Sequence, residues 1–340
     1  MKVVMSMSFF TRIVAALAVA LAAWAPVSAQ EQRVELEALF DNTLGTELRA
    51  PRDYTPSPAT MLEQRIAQLA EGSRGRIGVA AIDLASGREI AILGDQRFPM
   101  ASTSKIAIAA TYLEGVDNGR WSLTSEFPLR LSVQSKPFSS AVAPVRQGQY
   151  MTALQLIDLM LTRSSNPATD ALLAAVGGPA AVNEWAKRAG IEEFELSRDI
   201  ATLVRDDGEF DPAVHIDGRD SATPRAMVQL LTGIHQGRWL SPASSSVLVG
   251  AMERCRTGTR RIPAMMPETV TVAHKTGSLN NTSSDVGILT APDGRSIALA
   301  IYVTGQGSRG NREARIASIA RAIYDGYTET GATWLNASAH

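Results

Sequence analysis

The sequence predicts an α/β fold of the α+β type. One antiparallel sheet is expected from strands at both ends of the chain, with helices flanking the sheet and an all-helical lobe inserted between the ends. Apolar, partly β-branched segments of strand length lie over residues 76–93 and again over residues 269–303. Between them, apolar residues recur at helical spacing. Strands at both ends of a helical block favour a single sheet with a helical insertion.

The element order follows from local signals. Strands are predicted over residues 76–83, 89–93, 269–274, 285–290 and 297–303, with turns at residues 85–88 and 292–294. Helices are predicted over residues 61–69, 105–115, 151–161, 171–189 with a break at residues 177–179, 224–235 and 313–327. Residues 58–98 and 256–335 are therefore expected to form a sheet lobe, and residues 99–255 a helical lobe.

The first 29 residues are typical of a signal peptide rather than of the fold. Lys2 and Arg12 form a basic segment, an apolar run follows over residues 13–24, and Val27-Ser28-Ala29 ends it as a small-x-small cleavage site. We expect cleavage after Ala29 and a periplasmic or secreted protein without a stable membrane anchor; the alternative, an uncleaved anchor, requires a longer apolar run. Residues 30–57 are predicted to be an N-terminal extension or linker.

Charge, cysteine content and histidine spacing argue against a nucleic-acid-binding protein, a disulfide-bonded protein and a metal-binding protein. The formal net charge is −1, which does not favour a nucleic-acid partner. Cys255 is the only cysteine, so no internal disulfide can form, and we interpret it as a small buried hydrophobe. The four histidines lack the spacing of metal ligands, and neither a metal nor a cofactor is expected.

Three short motifs carry the chemistry. They are Ser102-Thr103-Ser104-Lys105, Ser164-Ser165-Asn166 and Lys275-Thr276-Gly277, in that order along the chain. Each is weak evidence alone, since the second is equally typical of a turn that ends a helix and the third of a surface strand end. Together they form the residue set of serine enzymes that open β-lactams or attack D-alanyl peptides.

The spacing within the first motif suits nucleophilic catalysis. Ser102 and Lys105 lie three residues apart at a helix start, so their side chains share a face. A serine hydroxyl needs a neighbouring base, and Lys105 can be that base only as a neutral amine. Burial and a second cation such as Lys275 would lower its pKa toward that state. Backbone N–H groups of the first helical turn would stabilise an oxyanion at Ser102.

The other two motifs suit proton relay and substrate binding. Ser164 can pass a proton to the leaving nitrogen, and Asn166 can bind a substrate amide. Thr276 and Ser278 can bind a carboxylate through their hydroxyls, and Gly277, at the end of the predicted strand, lets a substrate approach the backbone.

The chain resembles the class A β-lactamases and the penicillin-binding proteins that share their fold. The resemblance spans residues 60–330 and includes Phe98–Ala101 before Ser102 and the segment from Arg219 to Met227, which resembles the end of the family's Ω-loop. It implies a β-lactamase-like catalytic domain over residues 58–335, with Ser102 as the acylated nucleophile. It also implies an oxyanion hole from the N–H groups of Ser102 and Ser278, and an Ω-loop pair of Arg198 and Asp220.

One departure from the family concerns deacylation. The β-lactamases of the family have a Glu in the Ω-loop that activates the deacylating water, followed four residues later by Asn. Ile200 and Val204 stand at these two positions. The loop is also longer and acidic, so Glu209, and next Asp199, are possible substitute bases.

These observations predict a serine acyl-enzyme hydrolase of the class A β-lactamase type, with a small-molecule β-lactam as substrate and slow deacylation. A D-alanyl-D-alanine peptidase or penicillin-binding protein, which would bind a D-alanyl peptide, is the first alternative, and Ile200 favours it. The second is a non-catalytic module that binds β-lactams or cell-wall fragments; the intact nucleophile motif argues against it.

Overall fold

A computed structural model of the protein describes residues 60–72 and 74–337, with side chains to residue 328. The predicted signal peptide (1–29) and linker (30–57) lie outside the described residues. Within these residues the helices are α1 (Met61–Leu69), α2 (Lys105–Asp117), α3 (Ala153–Thr162), α4 (Asn166–Val176), α5 (Pro179–Arg188), α6 (Ile200–Arg205), α7 (Pro224–His235), α8 (Pro242–Glu253) and α9 (Arg309–Ala337). Short 3-10 helices span Ala101–Ser104 and Ile262–Met265.

The strands form a main sheet and two small ones. In chain order they are β1 (Ile77–Asp83), β2 (Glu89–Ile92), β3 (Phe98–Pro99), β4 (Glu126–Ser132), β5 (Val145–Thr152), β6 (Phe194–Glu195), β7 (Ser221–Ala222), β8 (Thr271–Leu279), β9 (Thr282–Thr290) and β10 (Ser296–Thr304). The main sheet has the order β2-β1-β10-β9-β8, and all its pairs are antiparallel. Because β1 pairs with β10, the sheet is built from both ends of the chain, and the predicted fold class is confirmed.

The nucleophile motif is held at the centre of the helical lobe. Helix α2 is buried from Lys105 to Leu113 on every face, as expected for a helix that is apolar all round. It packs against α3, α4, α5 and α8. A second apolar cluster lies on the other face of the main sheet, where Ile316, Ile319 and Ile323 of α9 pack beside strand residues such as Ile301.

Several predicted boundaries are wrong, and three of them bear on the site and have identifiable reasons. Helix α4 begins at Asn166 rather than at residue 171, because Ser165 caps it and Pro167 fits its first turn. Met151 belongs to β5, and α3 begins after the Thr152 cap. Strand β8 continues to Leu279, so the Lys275-Thr276-Gly277 motif lies inside the strand rather than at its end.

Several elements were absent from the sequence-based prediction. The β4–β5 hairpin has mostly exposed or half-buried residues, so its apolar pattern is weak. Helix α8 is rich in serine, although Ser241 and Pro242 provide an ordinary helix start. No helix within the described part of the chain is both long enough and apolar enough to cross a membrane.

Candidate active site

Ser102 lies in the 3-10 helix that leads into α2. Ala101, directly before it, has a φ of 49°, a conformation that costs energy for a residue other than glycine. The turn is fixed by the hydroxyls of Thr103 and Ser104, which donate to the carbonyls of Met100 at 2.8 Å and Ala101 at 2.9 Å. The serine is therefore presented by a rigid, strained turn, an arrangement that recurs at active sites.

The side chains of the three motifs meet around the hydroxyl of Ser164. Lys105 Nζ donates to Ser164 Oγ at 3.2 Å, to the Ser164 carbonyl at 2.9 Å and to Asn166 Oδ1 at 2.8 Å. Lys275 Nζ donates to the same Ser164 Oγ at 3.0 Å. Ser164 has a φ of 57°, so this residue is also strained. One hydroxyl thus lies between two amines.

Both amines are fully buried, and their pKa values reflect this. Burial and then the positive charge of Lys275 hold the pKa of Lys105 well below its ordinary value, while Asp170 acts in the opposite direction. Burial lowers the pKa of Lys275 to about 8, although Cys255 and Asp285 oppose the shift. Two ammonium groups so close together in a dry site are unfavourable. Burial and the neighbouring cation therefore both favour the neutral form of Lys105.

Strand β8 carries the remaining motif residues. Thr276 Oγ1 lies 2.6 Å from Thr257 Oγ1, and Ser278 Oγ accepts from Arg261 Nη2 at 2.7 Å. At Gly277 a Cβ would lie 2.4 Å from Ser284 Oγ and 2.6 Å from the Met100 carbonyl. The protein's own atoms therefore require glycine here, and the approach of a substrate to the Gly277 backbone stays a prediction.

The Ω-loop, defined here as residues 197–220, is closed at its neck by Asp220. Its carboxylate accepts from Arg198 Nε at 2.6 Å and from the backbone N–H groups of Ser197 at 2.8 Å and Arg198 at 3.0 Å. The two possible substitute bases are both engaged. Glu209 pairs with Arg219 at 2.6 Å, and Asp199 caps α6 by accepting from the Thr202 N–H at 2.8 Å.

A buried carboxylate from another element reaches the start of α6. Asp170 of α4 accepts from the backbone N–H groups of Ile200 at 2.8 Å and Ala201 at 2.9 Å. Burial raises its pKa to about 6, with a smaller contribution from Asp199, and Lys105 opposes the shift. Asp170 lies four residues after Asn166, so both share the face of α4 toward Lys105. The spacing would have indicated it had the helix been predicted from Asn166.

Cys255 differs from its interpretation as a buried hydrophobe. It is only partly buried, its Sγ lies 3.4 Å from Thr257 Oγ1, and His274 is near enough to lower the pKa of the thiol. His274 Nδ1 lies 2.9 Å and 3.0 Å from the two carboxylate oxygens of Asp285. The sequence could not indicate this group because its members come from a loop and two strands.

The comparisons with known proteins agree with this geometry. The sequence model of the β-lactamase enzyme family matches residues 61–327. The chain belongs to this family. It is 31% identical over 273 residues to β-lactamase CTX-M-4 of Salmonella typhimurium, covering 79% of this chain and 90% of the relative. It is 33% identical over 286 residues to β-lactamase Toho-2 of Escherichia coli, covering 82% and 93%.

Solved structures give the same result for the fold. A β-lactamase from Chitinophaga pinensis superposes with a TM-score of 0.69 at 28% identity, over 79% of this chain and all (100%) of the other. A variant of the class A β-lactamase of the last common ancestor of Gram-negative bacteria gives 0.68 at 33% identity, over 80% and 100%. The protein is thus a serine hydrolase of the class A β-lactamase type, which acts on β-lactams through an acyl-enzyme.

Proposed function

We propose that β-lactams acylate Ser102 with Lys105 as the base, and that the resulting acyl-enzyme is hydrolysed slowly. The observation that carries the proposal is the buried Lys105 amine, whose lowered pKa and contact with Ser164 suit a base rather than an ion pair. A neutral amine beside a serine is what nucleophilic activation requires.

Acylation then proceeds with one proton in transit. Ser102 Oγ attacks the lactam carbonyl carbon while Lys105 takes the hydroxyl proton. The carbonyl carbon–nitrogen bond breaks, and the departing nitrogen receives a proton through Ser164, whose hydroxyl lies between Lys105 and Lys275. The product is a ring-opened ester on Ser102. General acid–base help of this kind typically contributes about 10²–10⁴ in rate.

Binding groups surround the nucleophile. We assign the oxyanion hole to the backbone N–H groups of Ser102 and Ser278. The substrate carboxylate is assigned to the hydroxyls of Thr276 and Ser278 with the charge of Lys275, since cation-assisted hydrogen bonds to carboxylates are the strong ones. Asn166 binds the substrate amide.

Deacylation lacks an evident base. Ile200 is buried and apolar where the relatives' Ω-loop Glu is expected. Glu209 would have to leave Arg219, and Asp199 would have to leave the α6 cap, before either could activate water. Without a base, hydrolysis of the ester should be slower by about 10²–10⁴. A D-alanyl-D-alanine peptidase, favoured by the same Ile200, is the second candidate function.

The test is the intact mass of the protein against time after mixing with a penicillin, with Ser102→Ala as control. A long-lived adduct that requires Ser102 supports fast acylation and slow deacylation. Rapid return to the free mass with the penicillin consumed contradicts slow deacylation, and Glu209→Gln would then identify the base. If neither an adduct nor penicillin loss occurs, acylation of Ser102 is wrong, and the binding-module alternative gains.

A long-lived adduct leaves the two enzymatic functions to be separated. Release of D-alanine from a peptide ending in D-alanyl-D-alanine, faster than nitrocefin hydrolysis, would favour the peptidase.

We also propose that the mature enzyme begins after Ala29 and acts in the periplasm or outside the cell, without nucleic-acid partners. The N-terminal sequence of protein recovered from the periplasm or medium tests this.

A further inference from the structure

A second nucleophile lies next to the substrate-binding strand, outside the mechanism above. Cys255 follows α8 and is partly exposed. Its backbone is fixed on both sides: its own N–H donates to the Met252 carbonyl at 3.1 Å, and the Arg256 N–H donates to the Thr162 carbonyl at 2.8 Å. The thiol therefore has a defined place on the surface of the helical lobe.

The thiol is paired with an oriented histidine. His274 on β8 directs Nδ1 at Asp285 on β9, and the same imidazole acts on the pKa of the Cys255 thiol. Gly287 on β9 lets the two strands pair closely beside His274, because a Cβ there would lie 2.4 Å from the Ala273 carbonyl oxygen and 2.9 Å from His274 Cβ. A cysteine next to an imidazolium that a carboxylate orients is one of the arrangements that activate a nucleophile.

The charges of the group favour a thiolate. Burial would lower the pKa of His274, but the charge and hydrogen bond of Asp285 and the contact with Cys255 raise it to about 10. Burial would raise the pKa of Cys255, but the hydrogen bond and charge of His274, with help from Thr257, lower it to about 7. The charge of this thiolate in turn raises the pKa of Lys275, also on β8.

A short chain of contacts joins the thiol to the substrate site. Cys255 Sγ lies 3.4 Å from Thr257 Oγ1, which lies 2.6 Å from Thr276 Oγ1. The negative charge of Cys255 also supports the protonated form of Lys275. A group attached to the sulfur would thus displace Thr257 and remove a charge beside Lys275.

We propose that Cys255 is a modification site for small acidic disulfides, and that its modification slows acylation of Ser102. The thiolate attacks one sulfur of the disulfide, whose S–S bond breaks as the new one to Cys255 forms. The second sulfur leaves as a thiolate with the electron pair. A dithiol reverses the reaction. Arg256, exposed directly after Cys255, favours an anionic reagent over a cationic one, while Arg254 on the other side is paired with Asp158 at 2.9 Å.

The effect of the modification on acylation of Ser102 rests on the proposed function, whereas modification of Cys255 itself does not. The test therefore has two separate arms. In the first, glutathione disulfide or cystamine is added to the full-length mature protein, and the mass is followed. Because the chain has one cysteine, any thiol adduct is on Cys255. We expect a single adduct that forms at least threefold faster with glutathione disulfide, and that Cys255→Ser lacks. No adduct, or equal rates, overturns the proposal.

Activation by His274 is tested within the same arm. Alkylation by iodoacetamide should reach half its maximal rate near pH 7 in the unmodified protein and at least one pH unit higher in His274→Asn, which keeps a polar group toward Asp285. Circular dichroism establishes that the variant is folded; if it is not, the pH midpoint of the unmodified protein decides alone. A midpoint above pH 8 overturns the proposal.

In the second arm, a fluorescent penicillin measures acylation of Ser102. We expect the glutathione adduct to be acylated at least tenfold more slowly than the unmodified protein, with recovery after dithiothreitol and no effect of the disulfide on Cys255→Ser. An adduct that leaves acylation unchanged overturns the link to the site. Absence of acylation in the unmodified protein would instead contradict the proposed function and leave the first arm intact as the decision on Cys255.

Discussion

Asp170 links the Ω-loop to the proposed catalytic base, and the sequence motifs do not include it. Its two carboxylate oxygens accept from consecutive N–H groups of α6, and its charge acts on Lys105. A carboxylate suits this place because it only accepts hydrogen bonds, whereas an asparagine amide would turn a donor toward one of the two N–H groups. Asp170 thus fixes the position of Ile200 and influences the proposed base.

The raised pKa of Asp170 predicts a pH-dependent stability. The folded pKa of about 6 exceeds the ordinary value of 3.8, so the folded state binds the proton more tightly. Stability should therefore fall as pH rises from about 4 to about 6, by about 3 kcal/mol from this group. Asp170→Asn should lose this part of the slope, measured by urea unfolding at several pH values. Equal slopes in the two proteins would contradict the pKa.

Lys105 should be irreplaceable by another cation if it acts as a base. Lys105→Arg keeps a positive charge and hydrogen-bond donors but cannot lose its proton. Acylation by a fluorescent penicillin should therefore fall by about 10²–10⁴. Lys187→Arg, at the exposed end of α5, is the matched control and should leave the rate unchanged. Acylation retained in Lys105→Arg would mean that Lys105 only positions the substrate.

The sequence indicates the site residues that lie in short motifs but not those that other elements bring to the site. Ser102, Lys105, Ser164 and Lys275 were recognisable because each lies in a short motif with a chemical requirement. Asp170 escaped notice because its role depends on where α4 begins, and Cys255 because its partner comes from a distant strand. Spacing along the chain predicts neighbours within one helix, whereas contacts between elements need the fold.

At the scale of elements, the Ω-loop is held from three sides. Asp220 closes its neck, Asp170 holds the start of α6, and the connection between β4 and β5 binds the rest of α6. In that connection the Ala143 N–H donates to Thr202 Oγ1 at 2.8 Å, and the Phe138 N–H donates to Asp206 at 2.9 Å. A loop anchored so often should keep Ile200 in place during catalysis.

This rigidity makes Ile200 the place to restore a base. Ile200→Glu should raise the deacylation rate by about 10²-fold, within the usual range for general-base catalysis. Ile200→Gln is the matched control, because it has the same length without a basic oxygen. The rate is measured from decay of the penicillin adduct by intact mass. If both variants decay equally, a base at this position does not limit deacylation.

The elements themselves were predictable where their signals were local. Helix α7 begins and ends as predicted because Thr223 and Pro224 mark its start. Strand β9 begins at Thr282, three residues before its prediction, because Thr282, Ser283 and Ser284 are buried by pairing with β8 despite being polar. Tertiary burial of a polar strand cannot be inferred from hydropathy.

Across the whole molecule, one buried arginine joins the catalytic strand to the far helix. Arg261 Nη1 donates to the carbonyls of Gly277 and Ser284, both at 2.7 Å. Its Nη2 donates to Ser278 and pairs with Glu313 of α9 at 3.3 Å. The side chain is 1% exposed, and its bonds to the two carbonyls are shielded from water.

Removing this arginine should be costly. Arg261→Met removes the donor to the carbonyls of Gly277 and Ser284 and leaves Glu313 with Arg309 as its remaining partner, and breaking a buried ion pair typically costs about 3–5 kcal/mol. Arg260→Met, at the exposed neighbouring position, should change the free energy of unfolding by less than about 0.5 kcal/mol. Urea unfolding of both variants checks the difference. A loss below about 1 kcal/mol in Arg261→Met would show that the arginine is not the anchor.

The pairing of β1 with β10 also sets an order of events during synthesis. Ser102, Lys105 and Ser164 leave the ribosome early, but the main sheet, which carries Lys275, is complete only after residue 304. Arg261 acquires its carboxylate partner later still, when Glu313 emerges. A nascent chain should therefore not be acylated by penicillin until Glu313 has been made. Reaction with penicillin would then report when the catalytic domain has finished folding.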